Sequence, residues 1–400
     1  MAFYKEKIAL AKRVMKEKGI DMWIVAGSES ATASEPILPV ISDGEFIGAT
    51  ALVFCSDGTN YTVCTPIDAN GYIHAGIFDE VIGFKVNFET ALGELIKRKN
   101  PANIALDYSE NDPGSDGLTY GFYTVILDAL KIAGFSGEVI SAYPITSTVR
   151  GVKSDWELKR IRHSAKVAEE IFDAAKDFIR PGKTALDVFN FFQSEVDKRK
   201  AGYGWSKSCD PGVFSGKDSP GGHMPPPPIA IEAGNMVNID FGVKINEYSC
   251  DLQRMYYILK DGETDAPAEA KRAFNVVRDS ILKAAAFLKP GVTGLETDTV
   301  CRSYILENGY DDFNHATGHE MGREAHDGGP LLGPRKPRYD RPDLIEVPVL
   351  EGMVFTLEPG VMTPYGRCGL EEDVVVTPNG AEFLTPPQKE LYIIDPKAGK

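Results

Sequence analysis

The sequence predicts two domains of different class. An α/β domain with a mixed sheet occupies residues 1–150, and an α+β domain built from two related αα-ββ halves occupies residues 151–400. Three observations carry this. Four hundred residues are too many for one ordinary core. The first 150 residues alternate helix-like and strand-like segments. The remainder repeats one pattern of two helices and two strands.

In the first domain, "KIALAKRVMKEKG" has helical spacing and ends at Gly19. "DMWIVAG", "ATALVFC" and "NYTVC" are short, apolar and rich in β-formers, so they read as strands. "FETALGELIKRKN" is helical and "NIALDYS" is another strand. No glycine-rich phosphate loop follows these strands, and Asp107 and Glu110 read as turn or cap residues. The second domain begins where Ser154 and Glu157 form a capping-box signature ahead of a long helix, which makes Arg150 to Lys153 the candidate linker.

The internal repeat is visible in two alignable stretches. "AEEIFDAAKDFIRPGKTALDVFNFFQSEV" starts at Ala168 and "VRDSILKAAAFLKPGVTGLETDTVCRSYI" starts at Val277. Each is a helix, a basic-Pro-Gly-x-Thr turn and a second helix; Pro181 and Pro290 end the first helices. Downstream, "GNMVNIDFG" delivers Asp240 and "GMVFTLEPG" delivers Glu358 at the matching place. The next strands bring Asp251, in "YSCDLQRMYYIL", and either Glu371 or Glu372, in "GLEEDVVVTPNG". The last two point to opposite faces of a strand, and register alone does not choose between them.

An aspartate in an apolar strand must be paired or expelled, because an unpaired buried charge is costly. Facing halves bring four carboxylates to one centre, where they repel unless cations neutralise them. Two divalent ions balance four negative charges, so a dinuclear site with bridging carboxylates is expected. Three of the six histidines lie in "HATGHEMGREAHDGG", residues 315–329. His319, between Gly318 and Gly322, adds one imidazole to a mostly oxygen site, a donor set suited to Mn, Fe, Co or Zn. His326 reads as a ligand, a proton donor or an oxyanion partner, and His315 as a pocket wall or a satisfied core histidine. His223, in the loop "FSGKDSPGGHMPPPP", reads as either exposed or functional; His74 and His163 read as surface residues.

The net charge of −15 argues against nucleic acid or an anionic membrane surface as partner and fits a substrate with a free amine. The six cysteines form no Cys-x-x-Cys pair and read as reduced structural thiols. The N-terminus mixes lysines through an apolar stripe and is no signal peptide, and "FIGATALVF" is too short to span a bilayer, so a cytoplasmic location is expected.

Taken together, "NIDFG", "SCDLQR", "GHEMGREAHD", "FTLEPG" and "EEDVVVT" resemble, in order, the motifs of the pita-bread metallopeptidases: aminopeptidase P, prolidase and methionine aminopeptidase. The likeness covers roughly residues 150–395, and residues 1–150 resemble the N-terminal domain of the creatinase and aminopeptidase P branch. The resemblance implies Asp240, Asp251, His319, Glu358 and Glu371 as ligands of two divalent metal ions, manganese first, with cobalt, zinc or iron as alternatives. It implies Glu358 as general base, His326 and His223 as groups that stabilise the tetrahedral intermediate, and His223, His315 and His326 as substrate-binding residues. The implied activity is hydrolysis of the N-terminal residue of peptides, Xaa-Pro in type, by a homodimer. A prolidase-type dipeptidase, a creatinase-type amidinohydrolase, a dimethylsulfoniopropionate lyase-type reaction and a non-enzymatic binding protein are the alternatives. One departure stands out: the arginine usual two residues before the last metal glutamate is Gly369 here, with Arg367 two earlier. The stretch "GPLLGPRKPRYDRPDLIEVPVLEG" reads either as a lid that brings Arg335 or Arg338 to the site in compensation or as a solvated loop.

Overall fold

The computed structural model describes residues 2–30, 35–220, 222 and 224–397. They divide into two compact units, Met1–Arg150 and Gly151–Lys400. The first holds a six-stranded mixed sheet in the order Glu80–Gly83, Asn60–Cys64, Thr50–Cys55, Met22–Gly27, Asn103–Leu106, Glu138–Ser141. Met22–Gly27 runs antiparallel to Thr50–Cys55 and parallel to Asn103–Leu106. Alternate residues of the central strands feed two separate cores, Trp23, Val25, Leu52 and Phe54 on one face and Met22, Ile24, Ala51 and Val53 on the other. Burial on both faces is why these strands read as unbroken apolar runs. The outer strands Glu80–Gly83 and Glu138–Ser141 escape a sequence reading because four half-exposed residues carry no usable period. Asp107 is no ordinary turn residue. It is buried and accepts a 2.7 Å hydrogen bond from the Trp23 indole, and burial pushes its carboxyl up to about 7.

Arg150 and Gly151, expected in a linker, instead close the helix Tyr143–Gly151. In the second unit the helix Asp155–Ala175 opens with the expected reciprocal capping box of Ser154 and Glu157. Each half then supplies a second helix, Ala185–Arg199 and Gly294–Glu307. The threonines of the two Pro-Gly-x-Thr turns are the N-caps of these helices, with reciprocal boxes Thr184–Asp187 and Thr293–Glu296. Both turns need a left-handed glycine, Gly182 at φ 92° and Gly291 at φ 93°. The repeated motif is thus a turn and cap in one.

The helices of the first half pack on a four-stranded sheet in the order Tyr392–Ile394, Leu252–Ile258, Met236–Phe241, Gly212–Ser215. Phe241 meets Phe172 and Phe192 edge-to-face at 5.6 and 4.8 Å, so Phe241→Ala should cost about 3–5 kcal/mol. The second half packs on Val354–Leu357, Glu372–Thr377 and Gly380–Phe383. The strand pairs correspond: Phe241 lies opposite Leu252, and Leu357 opposite Glu372. A single bridge between Gln253 and Glu371 joins the two sheets at the ends that carry the acidic residues. The predicted pair of αα-ββ halves is therefore present.

Candidate active site

Asp240 sits one residue from the end of its strand, facing Gly212 on one side and Gln253 on the other. Asp251 immediately precedes the neighbouring strand, and its backbone N–H donates to the Asp373 carboxylate at 3.2 Å. In the second half, Glu358 follows Val354–Leu357 and Glu371 precedes Glu372–Thr377. The register decides between the two glutamates. Glu371 accepts from the Gln253 amide at 2.9 Å and lines a cavity, whereas Glu372 turns the other way onto Arg254 at 3.0 Å.

His319 comes from a two-residue strand, Gly318–His319, held by close backbone packing. A Cβ on Gly318 would lie 1.9 Å from the Thr356 carbonyl oxygen, so only glycine fits there. The His319 N–H donates to Thr356 Oγ1 at 3.2 Å, and the Glu358 N–H donates to the Thr317 carbonyl at 2.7 Å. Thr317 is anchored in turn by Asp298, which is ion-paired with Arg302 at 2.6 Å. His319 Nδ1 lies 3.3 Å from the Glu320 carbonyl. A carbonyl only accepts, so that contact places the proton on Nδ1 and leaves the Nε2 lone pair facing the carboxylates.

A cavity of about 540 Å³ contains Asp240, Asp251, His315, His319, His326, Glu358 and Glu371 in its wall. His319 Nε2 is 3.7 Å from Asp251 Oδ2 and 3.7 Å from Glu358 Oε1. His326 stacks on His319 with ring centroids 4.0 Å apart, and His315 lies 3.9 Å from Glu358. Of the site residues read from sequence, His223 lies outside the described residues; the others converge on this one cavity. His74 and His163 are exposed. All six cysteines are free, five of them buried. No helix among the described residues is long and apolar enough to cross a membrane.

The electrostatics favour a cation. Burial, and then the neighbouring Glu371 and Asp240 charges, push Asp251 well above the usual carboxylate range. Burial and then Glu358 and Asp240 do the same to Glu371. Glu358 is raised to about 8 by burial and by Asp240, with Arg367 opposing. Burial lowers His319 to about 3 and His315 to about 4, so both imidazoles are neutral at pH 7. Asp251, Glu358 and Glu371 have no lysine or arginine ion-pair partner among the described residues, and Asp251 Oδ1 is buried without a hydrogen bond. Asp251, His319 and Glu371 offer donor atoms that all lie within 4.8 Å of one another. Oxygen donors, one neutral imidazole and uncompensated negative charge fit divalent transition-metal ions.

Some neighbours went unread in the sequence. Gln253, two residues after Asp251 in "CDLQ", donates its amide to Glu371 at 2.9 Å. Arg367 reaches past Gly369: a Cβ at 369 would lie 3.2 Å from Arg367 Nε and 2.7 Å from Gln253 Oε1. Glycine at 369 therefore accompanies the arginine at 367, whose charge acts on Glu358 and His315. Trp205, Tyr339 and Arg341 also line the cavity from loops that carry no motif. Of the two candidate arginines in the 329–352 stretch, Arg338 lines the cavity, while Arg335 pairs with Asp340 and Glu346 and does not.

The profile of metallopeptidase family M24 matches residues 159–378. An uncharacterized peptidase of Bacillus subtilis is 33% identical over 281 residues, 70% of this chain and 73% of that protein. The Xaa-Pro dipeptidase of Pyrococcus horikoshii is 31% identical over 277 residues, 68% of this chain and 72% of its own length. Among solved structures, the Xaa-Pro dipeptidase from Bacillus anthracis superimposes with a TM-score of 0.73 at 25% identity, covering 98% of this chain and 99% of its own. The fold is thus the pita-bread fold expected from the motifs. With more than half of its residues inside the profile and its acidic strands in register, the chain belongs to metallopeptidase family M24.

Proposed function

We propose that this peptidase is a dinuclear-metal aminopeptidase that releases the N-terminal residue from peptides with proline in the second position. The observation that carries the proposal is the convergence of four carboxylates and one neutral imidazole in one cavity. Asp240, Asp251, His319, Glu358 and Glu371 would hold the ions. Bound divalent cations would acidify a water to a nucleophile near neutral pH and polarise the scissile carbonyl.

The chain's own groups supply the rest. Glu358 stands between His315 and His319 at the centre of the site, placed to take a proton from water and pass it to the leaving nitrogen. His326, stacked on His319, and His223 donate to the developing oxyanion; removing one such donor costs about 100- to 1000-fold in rate. The acidic floor attracts the free α-amine of the substrate. Two of the relatives above are Xaa-Pro dipeptidases, which favours a second reading in which the substrate is a dipeptide. The proposal takes residues 1–150 as the N-terminal domain and 151–400 as the catalytic domain of a cytoplasmic homodimer. Purified protein loaded with Mn²⁺ or Co²⁺ should release the first residue from Xaa-Pro peptides. Metal bound without release would sink the reading.

A further inference from the structure

Each of the two stacked histidines is followed by an acid, His319 by Glu320 and His326 by Asp327. The histidines line the cavity, whereas both acids lie behind its wall and meet at Lys153. The Lys153 Nζ is 2.9 Å from Glu320 Oε1 and 3.5 Å from Asp327 Oδ2, and the three side chains are only 1, 0 and 2% exposed. Burial lowers the proton affinity of Lys153, but Glu320, Asp327 and Glu157 outweigh it and hold the ammonium above its ordinary value. Two glycines make room for the cluster. A Cβ on Gly322 would lie 2.5 Å from Asp327 Oδ2 and 2.6 Å from Lys153 Cε, and one on Gly329 would overlap Glu320 Oε2. The backbone ties the same groups together. The Glu320 carbonyl accepts from the Asp327 N–H at 3.0 Å and lies 3.3 Å from His319 Nδ1. The Lys153 N–H donates to the Gly352 carbonyl at 2.9 Å, just ahead of the strand that leads to Glu358.

We propose that Lys153 is a positioning residue that fixes His319 and His326 together by holding the acid next to each. An ammonium has three donors and can take two carboxylates at once. Charges buried this deeply are tolerated only in a good mutual geometry, so the cluster resists displacement. Moving Lys153 would shift both imidazoles, the one whose Nε2 faces the carboxylates and the one stacked on it. The inference rests on the metal site read above and adds what orients its imidazole.

The test does not depend on turnover. The full-length protein is titrated with Mn²⁺ in competition with a chromogenic chelator. Lys153→Met removes a positive charge near the site, and Glu320→Gln removes a negative one. Charge alone would tighten Mn²⁺ binding in the first variant and weaken it in the second. Loss of positioning instead raises Kd in both, by about 10- to 100-fold, the range typical of groups that orient a metal ligand. The double variant should lose no more than the worse single one, because both changes break one contact. In metal-free protein carrying isotope-labelled histidine, nuclear magnetic resonance should find the ring signals of His319 and His326 moved in both variants and those of the exposed His74 and His163 unmoved. If Lys153→Met does not fold, Glu320→Gln and Asp327→Asn carry the same ring-signal test. Unchanged or tighter Mn²⁺ binding by folded Lys153→Met, additive losses in the double variant, or unmoved His319 and His326 signals each overturns the assignment. A wild type that binds no Mn²⁺ overturns the metal reading itself, and intact shifts in Kd without Xaa-Pro cleavage overturn the proposed reaction alone.

Discussion

Glu371 and Glu372 are neighbours with opposite fates. Glu372 faces the fully buried Arg254, whose guanidinium also contacts Glu169, so the protein supplies its countercharge. Glu371 faces the cavity with Asp251 and Glu358, and among the described residues its side chain accepts a hydrogen bond from the neutral Gln253 amide alone. Both are pushed up by burial; Arg254 opposes the rise at Glu372, which reaches about 7, whereas the neighbouring carboxylates Glu358 and Asp240 add to the rise at Glu371. One face of the strand pair is a closed ion-pair network. The other is a set of charges left for something outside the chain to neutralise. A structural acid and a functional acid are thus told apart by where the countercharge comes from.

The largest expected effect comes from opening the closed face. Arg254→Met strands Glu372 and Glu169 with no cation, and breaking a buried pair in this way typically costs about 3–5 kcal/mol. Urea unfolding of the metal-free protein measures it. A loss under 1 kcal/mol would mean that the network is not what holds this face. Next, Glu358→Gln keeps an oxygen at the cavity and removes the base. We expect kcat, measured at saturating Mn²⁺ with metal occupancy confirmed by elemental analysis, to fall by about 100- to 1000-fold. An unaffected kcat would remove Glu358 from proton transfer.

Much of this contrast was legible beforehand. Asp240 and Glu358 stood out because each interrupts an apolar strand at the same place in a repeat. Gly318 and Gly322 announced close packing around His319. The choice of Glu371 over Glu372 was not available from the residues, because alternation says that the two diverge without saying which way. The register of Leu357 against Glu372 and the bridge to Gln253 supply that direction. The rim residues were illegible for another reason: Trp205 and Tyr339 reach the cavity through loops, whose course follows from tertiary anchors such as Lys336 with Asp312. The short edge strands of the first unit lacked a period to read.

pH acts on both faces, because Glu372 is raised to about 7 on the closed face and Glu358 to about 8 on the open one. Glu358 binds its proton more tightly folded than unfolded, so its contribution is fully present below about pH 4.5 and is lost as pH rises through about 8. His319 and His315 work in the opposite direction, but only below their unfolded pKa of about 6.5. Between pH 6.5 and 8 the carboxylates act alone. Metal-free protein should lose about 2 kcal/mol across that window, and Mn²⁺ should abolish or reverse the slope because metal competes with the protons. Thermal melts with and without chelator test this, and a flat metal-free profile would contradict it.

The smallest change falls on Gln253, whose backbone bridges the two sheets at Glu371. Gln253 donates its amide to Glu371 and exchanges backbone hydrogen bonds with it, N–H to carbonyl at 3.2 and 3.4 Å. Gln253→Leu keeps the size and the backbone bonds but removes the hydrogen bond that aims the carboxylate. Supporting residues of this kind typically hold about 10-fold in metal affinity, or about 1.4 kcal/mol. Competition with a chromogenic chelator should therefore read a Kd for Mn²⁺ raised about tenfold, with the metal-free unfolding midpoint nearly unchanged. A fall in that midpoint with Kd unaltered would reverse the assignment. Gln253 would then belong to the closed face as a structural brace, and Glu371 would be oriented by its strand alone.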